Sequence, residues 1–123
     1  MNEGQRFAAR WIEAWNSGEL PRALALWAPE MEFWSPLAAE LTGSPVLKGK
    51  AAVAAYWGRA LEQGMHLHFE LKQALWDPDL RTVTIVYRRE RGRDVRLAAE
   101  IIRLNDDGLG VHGIALHGPA LPD

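Results

Sequence analysis

The chain has no cysteine. Its absence removes disulfides, thiolate nucleophiles and the common zinc frameworks, and nothing in the composition requires an oxidising compartment. Nowhere is there an apolar run of the ~18 residues that a membrane-crossing helix needs. The start, Met1-Asn2-Glu3-Gly4-Gln5-Arg6, leads into an amphipathic stretch without the apolar core and cleavage site of a signal peptide. A cytoplasmic location away from membranes is the expectation. Net charge is also slight, 16 acidic against 14 basic side chains, so no overall field gathers nucleic acid. Gly-rich phosphate loops, nucleophile elbows and His-Glu metalloprotease helices are missing, as are repeats and low-complexity segments. At 123 residues the chain holds one core and is too short for a cofactor domain beside a substrate domain. What stands out by abundance is tryptophan, with six residues.

Phe7, Trp11 and Trp15 recur every four positions with Ala8 and Ile12 beside them, one face of an α-helix that Asn16-Ser17-Gly18 ends. Leu20, Ala23, Leu24 and Trp27 predict a short second helix with Pro21 in its first turn and Pro29 as its stop. Met31 to Ser35 reads as a brief strand between prolines, and Leu41 to Leu47 as a loop. A third helix opens at Lys48-Gly49-Lys50, carries Val53, Tyr56, Trp57, Ala60 and Leu61 on one face, and closes at Gly64. From His66 the period becomes two, and four strands follow, separated by turns at Asp77-Pro78-Asp79, Arg91 to Asp94 and Asn105 to Gly108. Consecutive strands with short turns make an antiparallel meander. Three amphipathic helices need one of its faces, so the fold class is α+β in two layers. A single domain over 1–118 and a loose tail over 119–123 complete the expected layout.

This order, with Leu24-Ala25-Leu26-Trp27-Ala28-Pro29-Glu30, Phe33-Trp34-Ser35-Pro36, Leu47-Lys48-Gly49-Lys50 running on to Tyr56-Trp57, and Asn105-Asp106-Asp107-Gly108, resembles the NTF2-like superfamily. Within it the likeness is to the small SnoaL-like and ketosteroid-isomerase-like proteins. The resemblance covers nearly the whole chain. It implies a cone, in which three N-terminal helices pack on a strongly bent antiparallel sheet around an apolar pocket. It also implies an apolar small-molecule ligand, a homodimer through the sheet face, and no cofactor or metal. As to chemistry, the superfamily houses isomerases, cyclases, dehydratases and non-catalytic binding domains alike. Two function classes therefore stand side by side: acid-base isomerisation, dehydration or cyclisation, and ligand binding or dimerisation without turnover.

In the isomerases of this superfamily a carboxylate base precedes the proline of the first strand, and a second, protonated acid joins a tyrosine to hold an oxyanion. The base position matches Ser35, which cannot take a proton from carbon unaided. The tyrosine positions match Trp11, Trp27 and Trp57, which points to a pocket poorer in hydroxyls. The second acid's position matches Glu100, with Ala98 and Ile102 on its strand face. Facing an apolar cone, its carboxyl would have a raised pKa; the alternative is an ion pair with Arg96 or Arg103. His117, with Gly113 and Ala115 on its face, matches the pocket mouth and is the second catalytic candidate. Trp11, Trp15, Trp27 and Trp57, with Trp34 as a fifth, are candidates to line the pocket or simply to fill the core. The expected ligand contacts are thus Trp11, Trp15, Trp27, Ser35, Trp57, Ala98, Ile102 and Ala115. His66, His68 and Glu70 share a strand face that looks outward, so no metal site is expected there. Five arginines between Arg88 and Arg96 form a hairpin tip read as solvated rather than as a nucleic-acid patch.

Overall fold

A computed structural model describes residues 1–62 and 67–122. Helix α1 (Glu3–Asn16) starts at a reciprocal cap: the Asn2 side chain accepts from the Gln5 N–H at 2.8 Å while the Gln5 side chain accepts from the Asn2 N–H at 3.0 Å. Its buried stripe holds Phe7, Ala8, Trp11 and Trp15, as the four-residue spacing requires. Gly18, at φ +72°, takes the left-handed turn that releases the chain into α2 (Leu20–Leu24).

Trp27 departs from the expected second helix, which ends at Leu24; the residue opens strand β1 (Trp27–Trp34). Pro29 does not stop a helix here. It sits where pairing of β1 with its neighbour is interrupted, between Trp27 and Glu32, so its missing N–H breaks no ladder bond. Part of the expected loop is also structured. Ser35 caps α3 (Pro36–Thr42), its hydroxyl accepting from the Leu37 N–H at 3.3 Å, with Pro36 in the first turn and Gly43 at φ +82° ending the helix. Strand β2 (Val46–Lys48) then pairs back on β1 before α4 (Lys50–Glu62). Gly64, the expected stop, lies outside the described residues, as does His66. Strands β3 (Leu67–Asp77), β4 (Thr82–Arg91), β5 (Asp94–Leu104) and β6 (Gly110–Ala120) form the expected meander. β6 takes in residues 119 and 120, and the Leu121 N–H bonds the Val95 carbonyl, so this end is tied to the sheet.

The six strands run in the order β2-β1-β6-β5-β4-β3, and all neighbours are antiparallel except β1 and β6. That parallel pair was not expected; it arises because β1 joins the far side of the meander after a long crossover rather than a hairpin. Register shifts leave extra residues on β3 and on β6, bulges that bend a sheet and let it curl around the helices.

Pairing stacks the inner face in rows. Val83, Ile102 and Gly113 lie side by side, then Ile85, Glu100 and Ala115, then Tyr87, Ala98 and His117, with Arg89 opposite Arg96 beyond. The face therefore grades from hydrocarbon to carboxyl to phenol and imidazole to guanidinium. Against it lies an aromatic cluster. Trp11 stacks on Phe69 at 5.3 Å, Trp15 meets Trp57 edge-on at 5.1 Å, and Trp57 meets Phe33 and Trp27 at 5.3 and 5.8 Å. Such pairs add about 0.5–1.5 kcal/mol each beyond their burial. No helix among the described residues is long and apolar enough to cross a membrane.

Candidate functional site

The cluster does not fill the cone. A cavity of about 90 Å³ remains at its open end, bounded on one side by Trp15, Phe33, Trp57 and Phe69 and on the other by Ser35, Tyr56, Tyr87, Arg89, Glu100, Ala115 and His117. Each wall residue follows from its element. Trp15 ends the buried stripe of α1, Tyr56 and Trp57 are neighbours on α4, and the period of two on β4, β5 and β6 turns Tyr87, Glu100, Ala115 and His117 inward together.

Glu100 is only 6% exposed, and its Oε2 has no hydrogen-bond partner among the described residues. Neither arginine offered by the sequence is its partner: Arg96 bonds Asp94, and Arg103 is exposed on the opposite face. Burial pushes the Glu100 carboxyl well above the ordinary carboxylate range, because ionisation there would desolvate a charge. The group therefore holds its hydrogen to higher pH than an ordinary carboxyl does. The Tyr56 phenol is raised, first by burial, and Tyr87 is raised well above its usual value for the same reason, so both keep their hydrogens.

His117 is half-buried and stands one row toward the mouth, with Nδ1 3.5 Å from Arg89 Nη1 and Nε2 unpartnered. Burial, and then the arginines around it, hold its pKa below the usual imidazole range. Its ring is neutral near pH 7. Ser35 already has two partners: its Oγ lies 3.0 Å from the Tyr56 hydroxyl and accepts from the Leu37 N–H as the cap of α3.

Of the residues singled out in the sequence, the cavity brings together Trp15, Ser35, Trp57, Glu100, Ala115 and His117. It leaves Trp11, Trp27, Ala98 and Ile102 behind the wall, buried in the core. Trp34 turns to the outer face, 39% exposed, its indole N–H donating to Glu32 at 2.8 Å. His68 and Glu70 are exposed, and no metal-holding cluster occurs among the described residues. Two readings change. The cavity is richer in hydroxyls than expected, because Tyr56 and Tyr87 supply what the indole substitutions removed. And the arginine hairpin is not wholly solvated: Arg89 is only 7% exposed. Both Tyr87 and Arg89 were findable, since the inward alternation Val83, Ile85, Tyr87 continues to Arg89.

Comparison with known proteins adds a family and a fold. The sequence model of the SnoaL-like domain matches residues 8–112. Among solved structures, a SnoaL-like protein of unknown function from Burkholderia thailandensis is 35% identical, with 95% of this chain and 96% of that one covered at a TM-score of 0.85. An NTF2-like protein of unknown function from Burkholderia pseudomallei is 17% identical over 95% and 92%, at 0.79. A steroid delta-isomerase from Pseudomonas aeruginosa is 21% identical over 97% and 82%, at 0.72. These last two likenesses concern the fold. No curated protein is similar enough in sequence to count as a match.

Proposed function

This chain belongs to the SnoaL-like domain family, and from its cavity we propose that it binds a small, largely apolar molecule and presents Glu100 to it as a proton donor. The observation that carries this reading is the Glu100 carboxyl, buried in the cavity wall with Oε2 unpartnered. A neutral carboxylic acid in an aromatic-walled site donates to a carbonyl or hydroxyl oxygen of the guest. That is the acid half of an isomerisation, dehydration or cyclisation. His117 adds a second polar contact, and the rings of Trp15, Phe33, Trp57 and Phe69 keep water away from both. The chemistry calls on no cofactor.

One observation favours a second reading, binding without turnover. A guanidinium only donates, so the Arg89 contact leaves the lone pair of His117 on Nδ1 and its hydrogen on Nε2. With Ser35 engaged, no ready base faces the cavity among the described residues. The two readings separate in one experiment. Small cyclic ketones are titrated in heavy water, with binding followed by indole fluorescence and α-hydrogen exchange by NMR. Affinity is expected to fall about tenfold in Glu100→Ala, the loss of one good hydrogen bond. Exchange above the buffer rate that disappears in Glu100→Gln supports the acid role; binding without exchange favours the second reading. An affinity unchanged in Glu100→Ala contradicts both.

The outer sheet face supports pairing of two copies. Leu97, Ala99, Ile101, Ile114 and Leu116 form an apolar centre there, with Leu97 and Leu116 exposed. Light scattering is expected to give twice 13.8 kDa; a stable monomer at micromolar concentration contradicts it.

A further inference from the structure

At the hairpin between β4 and β5, whose Arg89 lines the cavity, one carboxylate serves two guanidiniums. Arg89 Nη2 donates to Asp94 Oδ2 at 2.5 Å, and Arg96 Nε reaches Asp94 Oδ1 and Oδ2 at 3.0 and 3.2 Å. A unit of positive charge is left over. Arg96 is partly solvated, whereas Arg89, which must share Asp94 with it, lies almost fully buried in the wall with its Nε without a partner among the described residues. A buried charge in excess of its counter-charge is costly unless something of opposite sign joins it.

Beside the Ser35, Tyr56 and Tyr87 hydroxyls and the Glu100 carboxyl, which can donate or accept, two wall side chains offer donors alone. His117 presents Nε2–H, Trp15 presents an unpartnered indole N–H, and neither is an acceptor. His117 feels the same charges: beside burial, Arg89, Arg96 and Arg91 disfavour its protonation, and Asp94 favours it. Donors and surplus positive charge at one end, aromatic rings at the other, define a complementary guest.

We infer that the guest is an anion, a small aromatic or cyclic carboxylate whose oxygens face Arg89 Nε and His117 Nε2 while its ring lies among Trp15, Phe33 and Trp57. This rests on the reading of the cavity as a ligand site and adds the charge of the ligand to it. A carboxylate brings two oxygens with four lone-pair sites to these donors, and it completes the charge count that Asp94 leaves open.

The test uses benzoate and phenylacetate against their methyl esters, which keep the ring and remove the charge, with titration calorimetry on the full chain in low-salt buffer. The acids are expected to bind at least tenfold more tightly than the esters. In Arg89→Met that ratio is expected to fall to near one. In Asp94→Asn, which removes the counter-charge and leaves Arg89, carboxylate binding is expected to tighten. Opposite signs at the two ends of one ion pair cannot come from a loosened hairpin, which would weaken binding in both variants. If the esters bind as tightly as the acids, the charge inference fails and the ligand site stands. If neither acid nor ester binds, both fail.

Discussion

The inner face of β4, β5 and β6 is built from one set of strands, yet its two ends are occupied in different ways. At the closed end Gly110 and Gly113 lie under the Trp27 ring, so closely that a Cβ on either would come within 2.6 or 2.5 Å of it. Trp27 fills that end and is 1% exposed. At the open end the facing positions are Glu100, Ala115 and His117, and the rings of Trp15 and Trp57 stop short of them and leave a cavity. What a tryptophan does in this molecule is therefore set by the residues opposite it. Over glycines it becomes a plug, and over a carboxyl and an imidazole it becomes a wall.

The largest expected consequence is at the plug. Trp27→Ala should lower unfolding free energy by about 3–5 kcal/mol in urea titration, the usual cost of emptying such a site. A loss under about 1 kcal/mol would mean that the closed end is no better packed than the mouth. A methyl group sharpens the contrast. Gly113→Ala is expected to cost about 1–3 kcal/mol through overpacking against Trp27, with ligand affinity kept. Ala115→Val, two residues along the same strand face, adds bulk where there is space. Its expected cost is within about 1 kcal/mol, while it blocks the cavity. Equal stability losses in these two variants would erase the distinction.

The smallest effect at acid pH grows with pH. Burial raises the Glu100 carboxyl, so the folded protein keeps a proton that the unfolded chain has released. Stability from this group is complete below the unfolded carboxyl's pKa of about 4.3 and declines as pH rises toward the folded value. Glu100→Gln removes that decline. The variant should match the parent near pH 4 and exceed it increasingly toward neutrality in thermal melts; parallel curves would place Glu100 outside a buried site.

Legibility in the sequence followed the same division. The period-two strands and the stripe of α1 were plain because each repeats over many residues, whereas the pocket positions of Glu100 and His117 came from the family resemblance, alternation adding only which neighbours share their strand faces. Helix α3 was hidden because Pro36 reads as a strand stop. The pair Ser35-Pro36 before Leu37-Ala38-Ala39-Glu40 is equally a cap followed by helix formers, which is how the fold uses it. Trp27 was misplaced because its spacing from Leu20 and Leu24 suits a helix, while its partners Gly110 and Gly113 are more than eighty positions away. Nothing local reports such a contact. Arg89 stands in a charged run that masks its inward alternation, and Tyr56 shows on its helix face without any sign that it meets Ser35.

The claim on which the rest depends is that the open end holds a carboxylic acid in its neutral form. Carbon-13 NMR of the Glu100 side-chain carboxyl, assigned by its disappearance in Glu100→Gln and followed from pH 3 to 9, reads that state directly. A carboxyl still protonated at pH 7 is the expected result. A midpoint in the ordinary range, about 4.3, would contradict it and leave the cavity with a plain solvated carboxylate at its wall.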